Sequence, residues 1–133
     1  MIVVDTNIIA YLYLSNEWST QAEKALLKDP RWCAPLLWRS EMRNVLAQYF
    51  RKKILDLTEI QQIMGEESQL LQGREYTVTS QHVLSLVAGS TCSAYDCEFV
   101  ALARDLELPL ITTGKQILNQ FPNIALSLEE FVN

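Results

Sequence analysis

Ile2-Val3-Val4-Asp5-Thr6-Asn7 is the stretch that decides the fold. Three β-branched apolar residues in a row, ended by a polar turn, read as a short buried strand. An apolar helix follows. From there helical and strand signals alternate. Ser19 or Thr20 caps a helix running to about Lys28, and Asp29-Pro30 stops it, because proline disfavours helical geometry in the residue before it. Trp32-Cys33-Ala34 reads as a second strand. Pro35 then sits in the first turn of a long helix, where a missing N–H is tolerated. Trp38, Met42, Val45, Leu46 and Tyr49 recur at helical spacing toward Arg51-Lys52-Lys53.

Thr58, followed by Gln61 and Gln62, marks the start of another helix, which Gly73 ends. Tyr76-Thr77-Val78 fits neither class cleanly. Ser80 to Ala88 and the Ser93-capped segment reaching Leu108-Pro109 are helices by their apolar spacing. Leu110-Ile111 and Ile124-Ala125-Leu126 read as strands on either side of a short helix, and Leu128 to Val132 as a final helical turn. Such alternation predicts an α/β fold with a central parallel sheet covered by helices on both faces. Its right-handed crossovers place ligand sites at the carboxyl ends of the strands. A length of 133 residues with no repeat or linker predicts one domain over residues 1–133.

Composition narrows the function classes. Hydrophobic residues make up 49% and charged residues 20%, with four glycines and four prolines, which suits a packed globular protein. The formal net charge of −5 argues against holding nucleic acid on a broad basic surface, so any such contact must be local. No apolar run approaches the length of a membrane span, and no basic or cleavable leader is recognisable, which predicts a cytosolic protein. Three cysteines, Cys33, Cys92 and Cys97, lack metal-binding spacing and read as reduced core thiols.

Three carboxylates stand out by position. Asp5 lies just past the first strand, at the mouth of the expected crevice, although an acid or Asn7 there is equally a helix cap. Glu41 lies on the border of the core-facing stripe of its helix and needs a cation, either Arg39, Arg43 or a metal. Asp96 follows Ser93 near a helix start and shares an edge with Phe99, Val100 and Ala103, which turns it toward the sheet. Glu98, two residues on, is expected on the other side of that helix. His82 stands far in sequence from these acids, and Trp18, Trp32 and Trp38 read as packing residues. Arg39, Arg43 and the Arg51-Lys52-Lys53 run either steer a nucleic acid toward the acids or complement a helix dipole.

Taken in order, Val3-Val4-Asp5-Thr6-Asn7-Ile8, Trp38-Arg39-Ser40-Glu41-Met42-Arg43-Asn44-Val45-Leu46, Tyr95-Asp96-Cys97-Glu98-Phe99-Val100-Ala101-Leu102-Ala103 and Leu110-Ile111-Thr112 resemble PIN domains, specifically the short VapC-like toxins. The resemblance spans nearly the whole chain. It implies a PIN-like three-layer fold and an endoribonuclease that binds Mg²⁺ or Mn²⁺ and cleaves RNA. Asp5, Glu41 and Asp96 match the family's first three acidic positions, which serve as metal ligands and catalytic residues; Asn7 and Thr112 match supporting polar positions. A cognate antitoxin protein and a homodimer are implied by the same analogy. One departure is Gly114, which stands where the family usually has a fourth acid, followed by Lys115. A catalytically impaired PIN domain that binds RNA or protein as a regulator is therefore the alternative expectation.

Overall fold

The computed structural model describes residues 1–133. Five short strands form one sheet: β1 (Ile2–Val4), β2 (Trp32–Pro35), β3 (Glu75–Tyr76), β4 (Leu110–Thr112) and β5 (Ala125–Ser127). Their order is β3-β2-β1-β4-β5, and every neighbouring pair is parallel. The connections are filled by α1 (Thr6–Tyr13), α2 (Ser19–Lys28), α3 (Leu37–Arg51), α4 (Leu57–Leu70), α5 (Ser80–Ala88), α6 (Ala94–Leu106) and α7 (Lys115–Gln120), and α8 (Leu128–Val132) closes the chain.

Right-handed crossovers put the α1–α2 and α3–α4 connections on one face of the sheet and α5–α6 on the other. On one face α6 packs across β1, β2 and β4; on the other α1 lies on β1 and β4, with α2 and α8 beside it. β1 and β4 are buried throughout, as strands covered on both sides must be, and they anchor a core that includes Ile8, Trp38, Phe99 and Leu102. The result is the expected three-layer α/β arrangement. No helix is long and apolar enough to cross a membrane.

Several boundaries differ from the sequence expectation for local reasons. Pro35 is the last residue of β2, paired with Tyr76, and α3 begins two residues later; a strand end is a place where proline's missing donor is harmless. α4 is capped by Asp56, two residues before Thr58. The Asp56 carboxylate accepts the Glu59 N–H at 2.8 Å and the Glu59 carboxylate accepts the Asp56 N–H at 3.0 Å, a reciprocal pair that satisfies two free donors at once. Ser19 does not cap α2; its hydroxyl donates to the Leu14 carbonyl and accepts the Asn16 N–H. Glu75–Tyr76 is a two-residue edge strand, too short to show a period.

Candidate active site

β1 and β4 are neighbours whose onward connections diverge, one toward β2 and the other toward β5, which opens a crevice beyond their carboxyl ends. The register Val4↔Ile111 sets Asp5 beside Thr112. The Asp5 N–H donates to the Ile111 carbonyl at 3.0 Å, so its backbone is held by the ladder. Both carboxylate oxygens are also held: Thr6 N–H donates to Oδ1 at 2.8 Å and Thr112 Oγ1 donates to Oδ2 at 2.8 Å. Thr112 Oγ1 in turn accepts the Gly114 N–H at 2.9 Å. Only 8% of Asp5 is exposed. Burial is the main cause that raises its pKa to about 6, and the charges of Glu41 and Asp96 push the same way against the two threonine bonds.

α3 starts beyond β2, next to β1, and so delivers Glu41 to the same rim. Thr6 Oγ1 donates to Glu41 Oε1 at 2.6 Å, which makes Thr6 a bridge between the first two acids. Burial, with the charge of Asp96 adding to it, holds the Glu41 carboxyl above its ordinary range, opposed by the Thr6 bond. Asp96 enters from the first turn of α6, where the Ser93 hydroxyl accepts its backbone N–H at 3.1 Å. Burial raises its pKa as well.

Neither flanking arginine neutralises Glu41. Arg39 donates through Nε and Nη2 to Glu75 at 2.6 Å each, and Trp38 Nε1 donates to the same carboxylate at 2.7 Å. The chain's ion pairs join Met1 to Asp29 and Arg39 to Glu75, His82 Nδ1 lies 3.0 Å from Asp105, and none of these contacts reaches Asp5, Glu41 or Asp96. The three acids are therefore a group of mutually repelling hard oxygen donors without an internal cation. As their side chains stand, they do not close to ligand distance around one shared point. Their donor chemistry still fits a hard divalent ion, which takes carboxylate oxygens and keeps waters in its remaining positions.

Other candidates fall differently. Asn7 is exposed on the first turn of α1 and makes no hydrogen bond to the acids. Glu98 is half-buried, and the charge of Glu41 adds to burial in raising its pKa, so it shares the field of the acidic group instead of lying wholly apart from it. At Gly114 a Cβ would stand 3.2 Å from Thr112 Oγ1 and 4.0 Å from Asp5 Oδ2, so the position lies directly beside the cluster and any side chain there would press on the Thr112 hydroxyl. His82 is engaged by Asp105 at 3.0 Å. Sequence reasoning overlooked Thr6. The signal was its place between Asp5 and the helix, where a hydroxyl faces the same rim.

The sequence profile of the PIN domain matches residues 2–123. The chain belongs to the PIN domain family. It is similar to Ribonuclease VapC3 of Pyrobaculum aerophilum, with 28% identity over 124 residues, 91% of this chain and 95% of that protein. Its fold is similar to that of a chain in a toxin-antitoxin complex from Klebsiella pneumoniae, with a TM-score of 0.71, 17% identity and coverage of 96% of this chain and 98% of the other.

Proposed function

We propose that this single PIN domain is a divalent-metal-dependent endoribonuclease of the cytoplasm, the toxin of a toxin-antitoxin pair. The observation that carries the reading is the cluster of Asp5, Glu41 and Asp96 without a paired cation at the crevice between β1 and β4. The likeness to Ribonuclease VapC3 supports RNA as substrate, and the fold shared with a toxin-antitoxin complex supports an antitoxin that covers the pocket. A homodimer is part of the same reading.

Asp5, Glu41 and Asp96 would hold Mg²⁺ or Mn²⁺, which when bound neutralises charge on a phosphate and acidifies water. Thr112 and the Thr6 N–H fix the two oxygens of Asp5, so that one ligand is oriented before the ion arrives. Thr6 Oγ1 steers Glu41, and Ser93 holds the α6 turn that carries Asp96. Asn7, exposed on the adjacent turn, and Thr112 complete the polar frame. The missing acid at Gly114 favours one firmly held ion over two and supports a second reading, an impaired nuclease that binds RNA or protein.

One assay separates the two. Purified protein with Mn²⁺ should cut RNA, and Asp5→Asn should abolish the cutting. Intact RNA at every Mn²⁺ concentration favours the impaired reading, and cutting that survives Asp5→Asn rejects the site.

A further inference from the structure

Beyond Glu41, α3 carries an exposed polar stripe that no part of the fold uses. At 100° per residue, Asn44, Gln48, Arg51 and Lys52 lie within about 80° of Glu41 around the helix and form a continuous row from the acidic crevice to the helix end. All four are exposed, and none makes a side-chain hydrogen bond or ion pair within the chain. The row changes character along its length, from a carboxylate through two neutral amides to cations. Residues 42–55 contain Arg43, Arg51, Lys52 and Lys53 and not one acid, in a chain with 16 acidic and 11 basic residues.

A second observation concerns the end of that row. α3 closes with the Lys53 N–H on the Phe50 carbonyl at 2.9 Å and the Ile54 N–H on the Tyr49 carbonyl at 3.0 Å, a terminus that requires left-handed geometry at position 53. Lys53 adopts it, with φ of 60°. Glycine takes this conformation without strain, so the third consecutive cation sits there against local backbone preference. The cations also lie at the negative end of the α3 dipole, which accounts for one or two of them; α6 ends in the same left-handed geometry, at Glu107 with φ of 55°, but there the residue is an acid.

We propose that this face of α3 is a track for single-stranded RNA, in which Arg51, Lys52 and Lys53 hold backbone phosphates and Asn44 and Gln48 offer hydrogen bonds nearer the acids. The inference rests on the ribonuclease reading above and specifies where its substrate lies. From Glu41 to Arg51 the helix rises ten steps, roughly 15 Å, which is about four stacked nucleotides at about 3.4 Å each. A protein carrying a net charge of −5 needs such a local basic contact, because its remaining surface repels phosphate.

Binding of a fluorescent, unstructured 15-nucleotide RNA in EDTA, followed by anisotropy across salt concentrations, tests the track with cleavage switched off. The paired change R51Q/K52Q should lower affinity about tenfold at low salt and flatten the slope of log K against log salt by about 1.4, at about 0.7 per phosphate contact. Gln48→Glu, which keeps a good helix former, should weaken binding in the same range by placing a carboxylate in the row. Lys53→Gly should raise Tm by about 2–5 °C while weakening RNA binding, opposite signs that loss of folding cannot produce. Lys24→Gln, an exposed change on α2, should leave affinity unchanged.

Wild-type affinity and slope in the α3 variants overturn the track. So does a result in which R51Q/K52Q turns a dimer into a monomer by light scattering at unchanged RNA affinity, since the face is then an interface between copies. Cleavage in Mn²⁺ separates the two proposals. RNA cut with unaltered KM by Gln48→Glu leaves the nuclease standing without the track. Intact RNA that nevertheless binds through Arg51 and Lys52 leaves the track standing without the nuclease.

Discussion

Glu67 on α4 is fully buried, and neither of its carboxylate oxygens has a hydrogen-bond partner. Burial, with the neighbouring charge of Glu66 adding to it, raises its pKa from 4.5 to about 8. The folded protein thus holds Glu67 protonated at neutral pH, whereas the unfolded chain releases that proton above pH 4.5. Folding between pH 4.5 and 8 must take a proton back, so the Glu67 contribution to stability falls as pH rises through this window and is flat on either side. At about 1.4 kcal/mol per pH unit, the loss is about 3 kcal/mol at pH 7 and about 5 kcal/mol above pH 8. Glu67→Gln keeps the shape and cannot ionise. The variant keeps only the fall that Asp5 and the other raised carboxyls cause, so its advantage over wild type should grow by about 5 kcal/mol between pH 4.5 and 8. An orphaned amide costs about 1–3 kcal/mol, comparable with the orphaned neutral acid it replaces, and leaves that pH dependence intact. Urea unfolding followed by circular dichroism at pH 5, 6.5 and 8 measures it. A difference between the two proteins that stays constant from pH 5 to 8 would refute the reasoning, because it would mean that Glu67 is ionised in the fold or finds a partner there.

Removing the Thr112 hydroxyl in Thr112→Val should destabilise the protein by about 1–3 kcal/mol, since it strips a bond from Asp5 and orphans the Gly114 N–H; it should also move the Asp5 pKa above 6, read by carbon-detected NMR titration. Gly114→Asp should tighten Mn²⁺ binding by calorimetry, and because its Cβ meets Thr112 Oγ1 at 3.2 Å it should lower metal-free stability by roughly 1 kcal/mol or more; unchanged affinity would mean that position 114 does not face the ion. Protons compete with the ion for Asp5, so Mn²⁺ affinity should weaken as pH falls below about 6 and binding should release a proton there. Calorimetry in two buffers of different ionisation enthalpy checks it, and proton release of zero at pH 5.5 would count against Asp5 as a ligand.

Much of this arrangement was legible in the sequence because the doubly buried strands leave so few choices. Ile2-Val3-Val4 and Leu110-Ile111 are too apolar to sit anywhere except the sheet centre, and the residues just past them, Asp5 and Thr112, then had to meet at the crevice. Glu41 and Asp96 were readable from helical edges. What the pattern could not give was who neutralises whom. Arg39 stands beside Glu41 in sequence but reaches Glu75, on an edge strand too short to announce itself. Glu67 was readable in principle: it falls at helical spacing between Ile60, Ile63 and Met64 on one side and Leu70 and Leu71 on the other. The α4 start at Thr58 drew attention to the wrong end of that helix, where the Asp56–Glu59 pair sets the boundary.

Asp5 and Glu67 show why a raised carboxyl pKa alone does not mark a site. Both are lifted mainly by burial, yet their surroundings differ in kind. Asp5 has a hydrogen-bond donor on each oxygen and acids nearby, so its frame is already built for an ionised group, and the shift that remains comes mainly from burial, with repulsion from Glu41 and Asp96 adding to it; a bound cation would offset both. Glu67 has no donor on either oxygen, so nothing in its surroundings favours the charged form and protonation is the only relief on offer. A divalent ion should therefore stabilise the fold through the first carboxylate and leave the second unaffected. The same difference supports the proposed metal-binding role of Asp5 and leaves Glu67 with a part in the pH dependence of folding alone.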